Sequence, residues 1–279
     1  MQQLKQIREP QIMGILNVTE DSFSDGGSYL SLELALNRAR QMIEEGAAII
    51  DVGAESTRPG SLPVDLDTEL ERVVPTVEAI KKEFPAITVS VDTRKSEVAK
   101  ASLQAGATII NDISALRDDE QMAETVASHP GAQIVLMHMQ GDPRTMQIAP
   151  RYENILKEVD EFFEERISFA VERGIDREMI ILDPGIGFGK DLDHNLTLLA
   201  NLEHYKHFGL PLLLATSRKS FINAICPTKP KDRVAGTIAS SLIGALQGVD
   251  MIRVHDVMEH KQFFAVLRET ALRWSAWNS

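Results

Sequence analysis

Apolar residues along this chain fall into two alternating patterns. Short β-branched runs recur as IMGILNV (12–18), AAIIDVG (47–53), ITVSVDT (87–93), ATIINDI (107–113), AQIVLMH (132–138), MIILDPG (179–185), PLLLATS (211–217) and DMIRVHD (250–256). Between them lie segments such as LELALNRARQMIEEG (32–46), TELERVVPTVEAIKKEF (68–84), SEVAKASLQAG (96–106) and YENILKEVDEFFEERISFAVERG (152–174), with apolar positions at i, i+3, i+4 and i+7. The first pattern predicts strands and the second amphipathic helices. Glycines in EEGA, QAGA and QGVD predict helix ends just before the next strand. Strands that are apolar throughout, such as MIILD, need cover on both faces, as in a parallel sheet flanked by helices. Eight such units in 279 residues predict an α/β fold, a (β/α)8 TIM barrel in a single domain over residues 1–279, with an open doubly wound sheet as the alternative.

Barrel enzymes build their sites at the C-terminal ends of the strands. The polar residues there are Asn17, then Asp51 with Glu55 and Arg58 beyond it, Asp92, the pair Asn111 and Asp112, His138, Asp183, Ser217 to Lys219, and Arg253 with His255. Any one of these is most simply a cap or a turn former. Arg253 and His255 differ, because i and i+2 on a strand share a face. An arginine inside a barrel is costly unless an anion or a flat ring meets it.

The set has a chemical meaning. Asp92, Asn111 and Asp183 supply acceptors and an amide for a flat heterocycle with several N–H donors, such as the edge of a guanine or a pterin. Arg58, Lys219, Arg253 and His255 supply positive charge for a phosphate-bearing group. Ser217 and Ser220 stand beside Arg218 and Lys219, but no local signature pairs either with a histidine, so a triad has little support. Lys219 is also a candidate Schiff-base amine, a reading that leaves the carboxylate and amide trio unexplained.

Net charge narrows the partners. At −12 the chain is a poor match for nucleic acid or an anionic membrane, both of which need a basic face. No run approaches the roughly 18 to 20 apolar residues of a membrane span, and MQQLKQIREPQIMG lacks the layout of a secretory signal. The expectation is a cytoplasmic protein. The single cysteine, Cys226, excludes an internal disulfide and suits a reducing compartment.

Seven segments together carry a resemblance: NVTEDSFSDGG (17–27), DVGAESTRPG (51–60), SVDTRK (90–95), NDIS (111–114), DPGIGFGK (183–190), SRKSFI (217–222) and RVHDV (253–257). In order and spacing they resemble the signature set of the dihydropteroate synthase family, across nearly the whole chain. The resemblance implies a (β/α)8 barrel, found as a homodimer, that joins 6-hydroxymethyl-7,8-dihydropterin diphosphate to 4-aminobenzoate in folate biosynthesis, with sulfonamides competing for the aminobenzoate site. It implies that Asp92, Asn111, Asp183 and Lys219 hold the pterin, with Arg253 stacked on it. Arg253, His255, Arg58 and Asn17 would hold the diphosphate, with Mg2+ on the Asn17 side chain. Thr57, Pro59, Phe188 and Ser220 would line the aminobenzoate site, and Phe23 with the SDGG turn would close over the diphosphate. Asp92, Lys219, Arg253, His255 and Arg58 are the candidate catalytic residues.

Two rivals share parts of this pattern. A pterin-binding methyltransferase of a corrinoid system has no diphosphate to expel, and a non-catalytic pterin-binding paralogue has no need of the full anion set. The joint presence of TRPG, SRKS and RVH favours the synthase. DPGIGFGK looks at first like a phosphate loop, but it fits neither G-x-x-x-x-G-K-[ST] nor G-x-G-x-x-G, which leaves Asp183 as its functional part.

Overall fold

A computed structural model describes residues 9–19, 28–55, 64–141 and 145–277, with side chains omitted at 28–30, 272 and 274–277. Each of the eight apolar runs contains a strand: β1 (Gln11–Asn17), β2 (Ile49–Gly53), β3 (Thr88–Asp92), β4 (Ile109–Asp112), β5 (Gln133–Met137), β6 (Ile180–Asp183), β7 (Leu213–Leu214) and β8 (Met251–Val254). The helices between them are α1 (Ser28–Glu45), α2 (Leu66–Glu83), α3 (Ser96–Gln104), α4 (Met122–Ala127), α5 (Ile155–Glu172), α6 (Leu192–Ala200), α7 (Ser220–Ile225), α8 (Val234–Leu246) and α9 (Val257–Trp277).

All the pairings are parallel, in the order β6-β5-β4-β3-β2-β1-β8-β7. The bridge between Leu182 and Leu212 joins the two ends of that order. The sheet therefore closes into the expected barrel, and the open-sheet alternative falls. The predicted helix-ending glycines, Gly46, Gly106 and Gly248, all adopt positive φ.

Strand alternation separates two cores. Outward residues such as Ile50, Val52, Val89, Val91, Ile134, Leu182 and Ile252 pack with the helices. Inward residues Met13, Ile49, Ile109, Val135, Ile181, Leu213 and Met251 fill the barrel floor. Removing one such side chain to alanine typically costs about 2–5 kcal/mol, so the floor is a rigid base for what stands above it. Two positions further along β2, β4, β6 and β8 the inward residue turns polar, to Asp51, Asn111, Asp183 and Arg253.

Candidate active site

That change of polarity creates the site. Register places Asp92 beside Asn111, Met137 beside Asp183 and Asn17 beside Gly53, so these side chains share the inner face near the barrel mouth. Alternation also splits the pair read together from the sequence. Asn111 points inward and donates to Asp51 Oδ2 at 3.4 Å. Asp112 points outward and accepts from Ser114 and from the Leu116 N–H, holding the positive-φ turn at Ala115 and Leu116.

Arg253 is the centre of the bowl. Its Nε donates to Asp51 Oδ2 at 2.6 Å and its Nη2 to Asp92 Oδ2 at 2.7 Å. Two carboxylates thus share one guanidinium. Burial, partly offset by Arg253 and reinforced by the nearby Asp51 charge, pushes Asp92 up to about 7. The same carboxylates raise Arg253 despite its burial. Gly53 makes room for this arrangement: a Cβ there would stand 3.2 Å from the Asp92 Cβ. Asp51 appeared in the sequence only as a strand-end residue, and its role as counter-ion depends on a contact 202 positions away.

On the opposite wall Asp183 accepts the Gly185 N–H at 2.7 Å, and burial raises its pKa against the pull of Lys219. Lys219 donates to the Ile186 carbonyl and lies 4.5 Å from the centre of the Phe188 ring. Burial lowers it to about 8, with Asp183 opposing the shift. Phe188 packs with Ile113, Met137, Met139 and Met146. This apolar cluster is continuous, through Lys219, with the polar bowl.

Two features of the loops aim these groups. Arg218 takes a left-handed φ of 57°, and its guanidinium forks onto Asp256. The chain then turns so that Lys219 enters the barrel while Arg218 stays outside it, and Ser220 begins α7 with its side chain exposed. Ser217 Oγ meets His255 Nδ1 at 2.9 Å and accepts the His255 N–H at 3.1 Å. The sequence offered no such pair, because it arises only from adjacency of the β7 and β8 ends. Its geometry is not that of a triad, where the serine meets Nε2 and the acid meets Nδ1. Here the serine holds the ring.

The DPGIGFGK loop is stapled rather than open. Lys190 is buried and donates to the carbonyls of His138, Gly185 and Phe188 at 3.2, 2.9 and 2.9 Å, and it contacts His138 Nδ1 at 2.9 Å. Burial lowers both Lys190 and His138 well below their ordinary values. Neither is available to a phosphate, which agrees with the failure of the loop motifs. Gly187 has φ 84°, and a Cβ there would come within 2.9 Å of the Lys219 stem.

The structure therefore brings Asp92, Asn111, Asp183, Lys219, Arg253, His255, Asn17 and Phe188 to the mouth region of the barrel. Thr57, Arg58, Pro59, Phe23 and the SDGG turn lie outside the described residues.

A parallel barrel with a polar, mixed-charge bowl at its strand ends defines a (β/α)8 barrel enzyme. A family model described as pterin binding enzyme matches residues 13–255. A dihydropteroate synthase of Escherichia coli is 49% identical over 264 residues, covering 95% of this chain and 93% of that one. One from Synechocystis is 46% identical over 247 residues, covering 88% and 85%. The chain belongs to the pterin-binding enzymes, in their dihydropteroate synthase family. Among solved structures it is similar to the Yersinia pestis enzyme in complex with a sulfonamide drug, with a TM-score of 0.88, 46% identity and 94% coverage of each chain. It is also similar to the Xanthomonas albilineans enzyme in complex with 7,8-dihydropteroate, with a TM-score of 0.83, 38% identity and coverage of 98% and 95%.

Proposed function

We propose that this enzyme joins 6-hydroxymethyl-7,8-dihydropterin diphosphate to 4-aminobenzoate, forming 7,8-dihydropteroate and releasing diphosphate. The observation that carries the reading is the Arg253 guanidinium held between Asp51 and Asp92, inside a bowl that also holds Asn111, Asp183 and Lys219. Asp92, Asn111 and Asp183 match the N–H donors and carbonyl of a pterin edge. Arg253 retains N–H donors beyond the two given to carboxylates, and these meet an anion together with the His255 ring.

An arylamine is unprotonated at neutral pH and needs no strong base, which accounts for a site without a triad. The chemical demand is stabilisation of charge as the C–O bond breaks. We infer that ionisation precedes attack: the bond between the pterin methylene and diphosphate breaks, the electron pair leaves with diphosphate, and the amine then adds and loses its proton. The carboxylates of Asp92 and Asp51 near the ring favour the cation, and Arg253 and His255 favour the departing anion. Scrambling of bridging and non-bridging oxygens without amine tests the order. Its absence replaces ionisation with a concerted displacement.

Magnesium fits the donor present. Mg2+ takes hard oxygens and retains waters and phosphate oxygens around itself. The Asn17 amide oxygen is such a donor, half-buried at the inward-facing end of β1. When bound there, the ion would neutralise charge on the diphosphate. By family likeness Thr57, Arg58 and Pro59 complete the cover, with Phe188 and Ser220 facing the aminobenzoate. The enzyme works as a homodimer in the cytoplasm on this reading, and a solution mass checks the dimer. Among the described residues no helix is long and apolar enough to cross a membrane.

Incubation with the pterin diphosphate, Mg2+ and 4-aminobenzoate should yield 7,8-dihydropteroate by mass, with a sulfonamide competing against the aminobenzoate. Failure of the sulfonamide to compete removes the aminobenzoate assignment.

Asp92 must accept from the pterin, so kcat/KM for the pterin substrate should fall as pH drops below about 7 and, through Lys219, as it rises above about 8. Asp92→Asn should lower activity about 100-fold and erase the acid limb of what remains. The stability effect of Asp92 runs the other way: its folded pKa is raised, so its contribution is present below the ordinary value of 3.8 and is lost as pH rises to about 7. Ser217→Ala removes the hydroxyl that holds His255 Nδ1 and should raise KM for the pterin diphosphate about ten-fold, with KM for the aminobenzoate unchanged.

A further inference from the structure

Away from the bowl, on the upstream side of β7, α5 meets a 3-10 turn spanning Leu202–Phe208. His204 and His207 stand three residues apart on that turn, a spacing that stacks side chains on one face of a 3-10 helix. Asp160 of α5 faces both. The nearest approaches are 2.5 Å from His204 Nε2 to Asp160 Oδ2 and 3.8 Å from His207 Nε2 to Asp160 Oδ1. One ligand atom from each residue lies within 4.8 Å of the others.

The hydrogen bonds of these residues leave a mismatch. His207 Nδ1 lies 2.6 Å from the His204 carbonyl. It must be the donor there, because a carbonyl only accepts. In the neutral ring Nε2 is then an acceptor. It faces Asp160 Oδ1, a buried acceptor without a hydrogen-bond partner among the described residues. Two lone pairs face each other across 3.8 Å, so the gap calls for a cation. Tetrahedral ligands about 2.1 Å from a shared zinc ion stand about 3.4 Å apart, so an ion enters as His204 Nε2 draws back from Asp160 Oδ2 and His207 Nε2 closes slightly on Oδ1.

The surroundings are already those of a metal-binding histidine. A ring whose Nδ1–H is tied to a backbone carbonyl has its Nε2 lone pair aimed for ligation. The His207 ring rests on Phe208 at 4.1 Å and the His204 ring on Tyr205 at 5.2 Å. Phe208 and Tyr205 in turn pack on Phe163 of α5. The imidazoles are open to solvent, with side-chain exposures of 42% and 49%, which gives an ion a path of entry.

We propose that Asp160, His204 and His207 form a binding site for a divalent transition metal of the zinc class, with water in the fourth position. The ion replaces the proton shared between His204 Nε2 and Asp160, and His204 carries its ring proton on Nδ1 instead. The position suggests its purpose. The turn leads within a few residues to Pro211 and Leu212, which supply the hydrogen bond to Leu182 and the bridge that close the barrel between β6 and β7. An ion joining α5 to the turn clamps the seam that β7, a strand of two residues, closes with few hydrogen bonds.

Zinc titration of the metal-free enzyme by calorimetry, with Co2+ absorption as a spectroscopic reporter, tests the site. One equivalent of Zn2+ should bind per chain, Co2+ should give the visible bands of a four-coordinate nitrogen and oxygen site, and saturating zinc should raise Tm by about 5 °C. His207→Ala, a change on an exposed ring, should fold normally and weaken zinc binding at least ten-fold, as outer and inner ligand losses do. Asp160→Asn, which supplies an N–H to the facing acceptor, should keep the metal-free Tm and lose the zinc response. Absence of saturable zinc binding overturns the proposal, as does binding that both variants leave unchanged.

Discussion

Replacing Arg253 with methionine should lower kcat/KM at least ~1000-fold, equivalent to about 4 kcal/mol of transition-state stabilisation. The side-chain length is nearly kept, so the loss isolates the guanidinium. Two functions vanish together: the charge that meets the diphosphate, and the cation that Asp51 and Asp92 share. Asp51 is wholly buried and its Oδ1 has no hydrogen-bond partner among the described residues. Without Arg253 the two carboxylates face one another in a closed bowl. The same change should therefore destabilise the fold by about 3–5 kcal/mol, the usual result of removing one partner from a buried ion pair. Arg253→Lys should recover much of the stability and little of the activity, because an ammonium cannot fork between two carboxylates and still present a flat face to a ring. Steady-state kinetics beside denaturant unfolding separates the two effects. Full activity in the methionine variant would remove Arg253 from the chemistry.

Gly185→Ala should be the most damaging single-methyl addition in the site. Its φ is 66°, and an added Cβ would lie 1.9 Å from the His138 carbonyl oxygen, which is backbone and cannot swing aside. Gly209 is the natural control, with φ 67° and nothing among the described residues within 4 Å of a built Cβ. Alanine at Gly209 costs only the left-handed strain, about 1 kcal/mol. Alanine at Gly185 adds the collision, and a loss of about 3 kcal/mol or more is expected, near 10 °C in Tm. Because the Gly185 N–H holds Asp183 Oδ1, pterin affinity should fall with it. Equal Tm values for the two variants would show that the loop shifts freely and that the close approach is not required.

The contrast between these two positions shows what a sequence can disclose. Period and punctuation revealed all eight strands, the glycine stops and the inward polar set, since each depends on neighbours a few residues away. Asn111 and Asp112 looked equivalent until strand alternation sent one into the barrel and the other into a turn. Three contacts were out of reach for a different reason. The Arg253–Asp51 pair, the Ser217–His255 pair and the Lys190–His138 contact join residues 202, 38 and 52 positions apart, and no local pattern encodes which strand ends become neighbours. Lys190 is the clearest case: read as a failed phosphate lysine, it spends its donors on backbone carbonyls, because burial favours saturated hydrogen bonding over a free charge.

On the function proposed, the bowl around Arg253 expels diphosphate in favour of an arylamine. Diphosphate release, measured with Mg2+ and the dihydropterin diphosphate in the presence and absence of 4-aminobenzoate, tests it most directly. Release should be rapid, should track the aminobenzoate concentration and should yield one pteroate per diphosphate. Release that is absent, or that proceeds at the same rate without the amine, would contradict it.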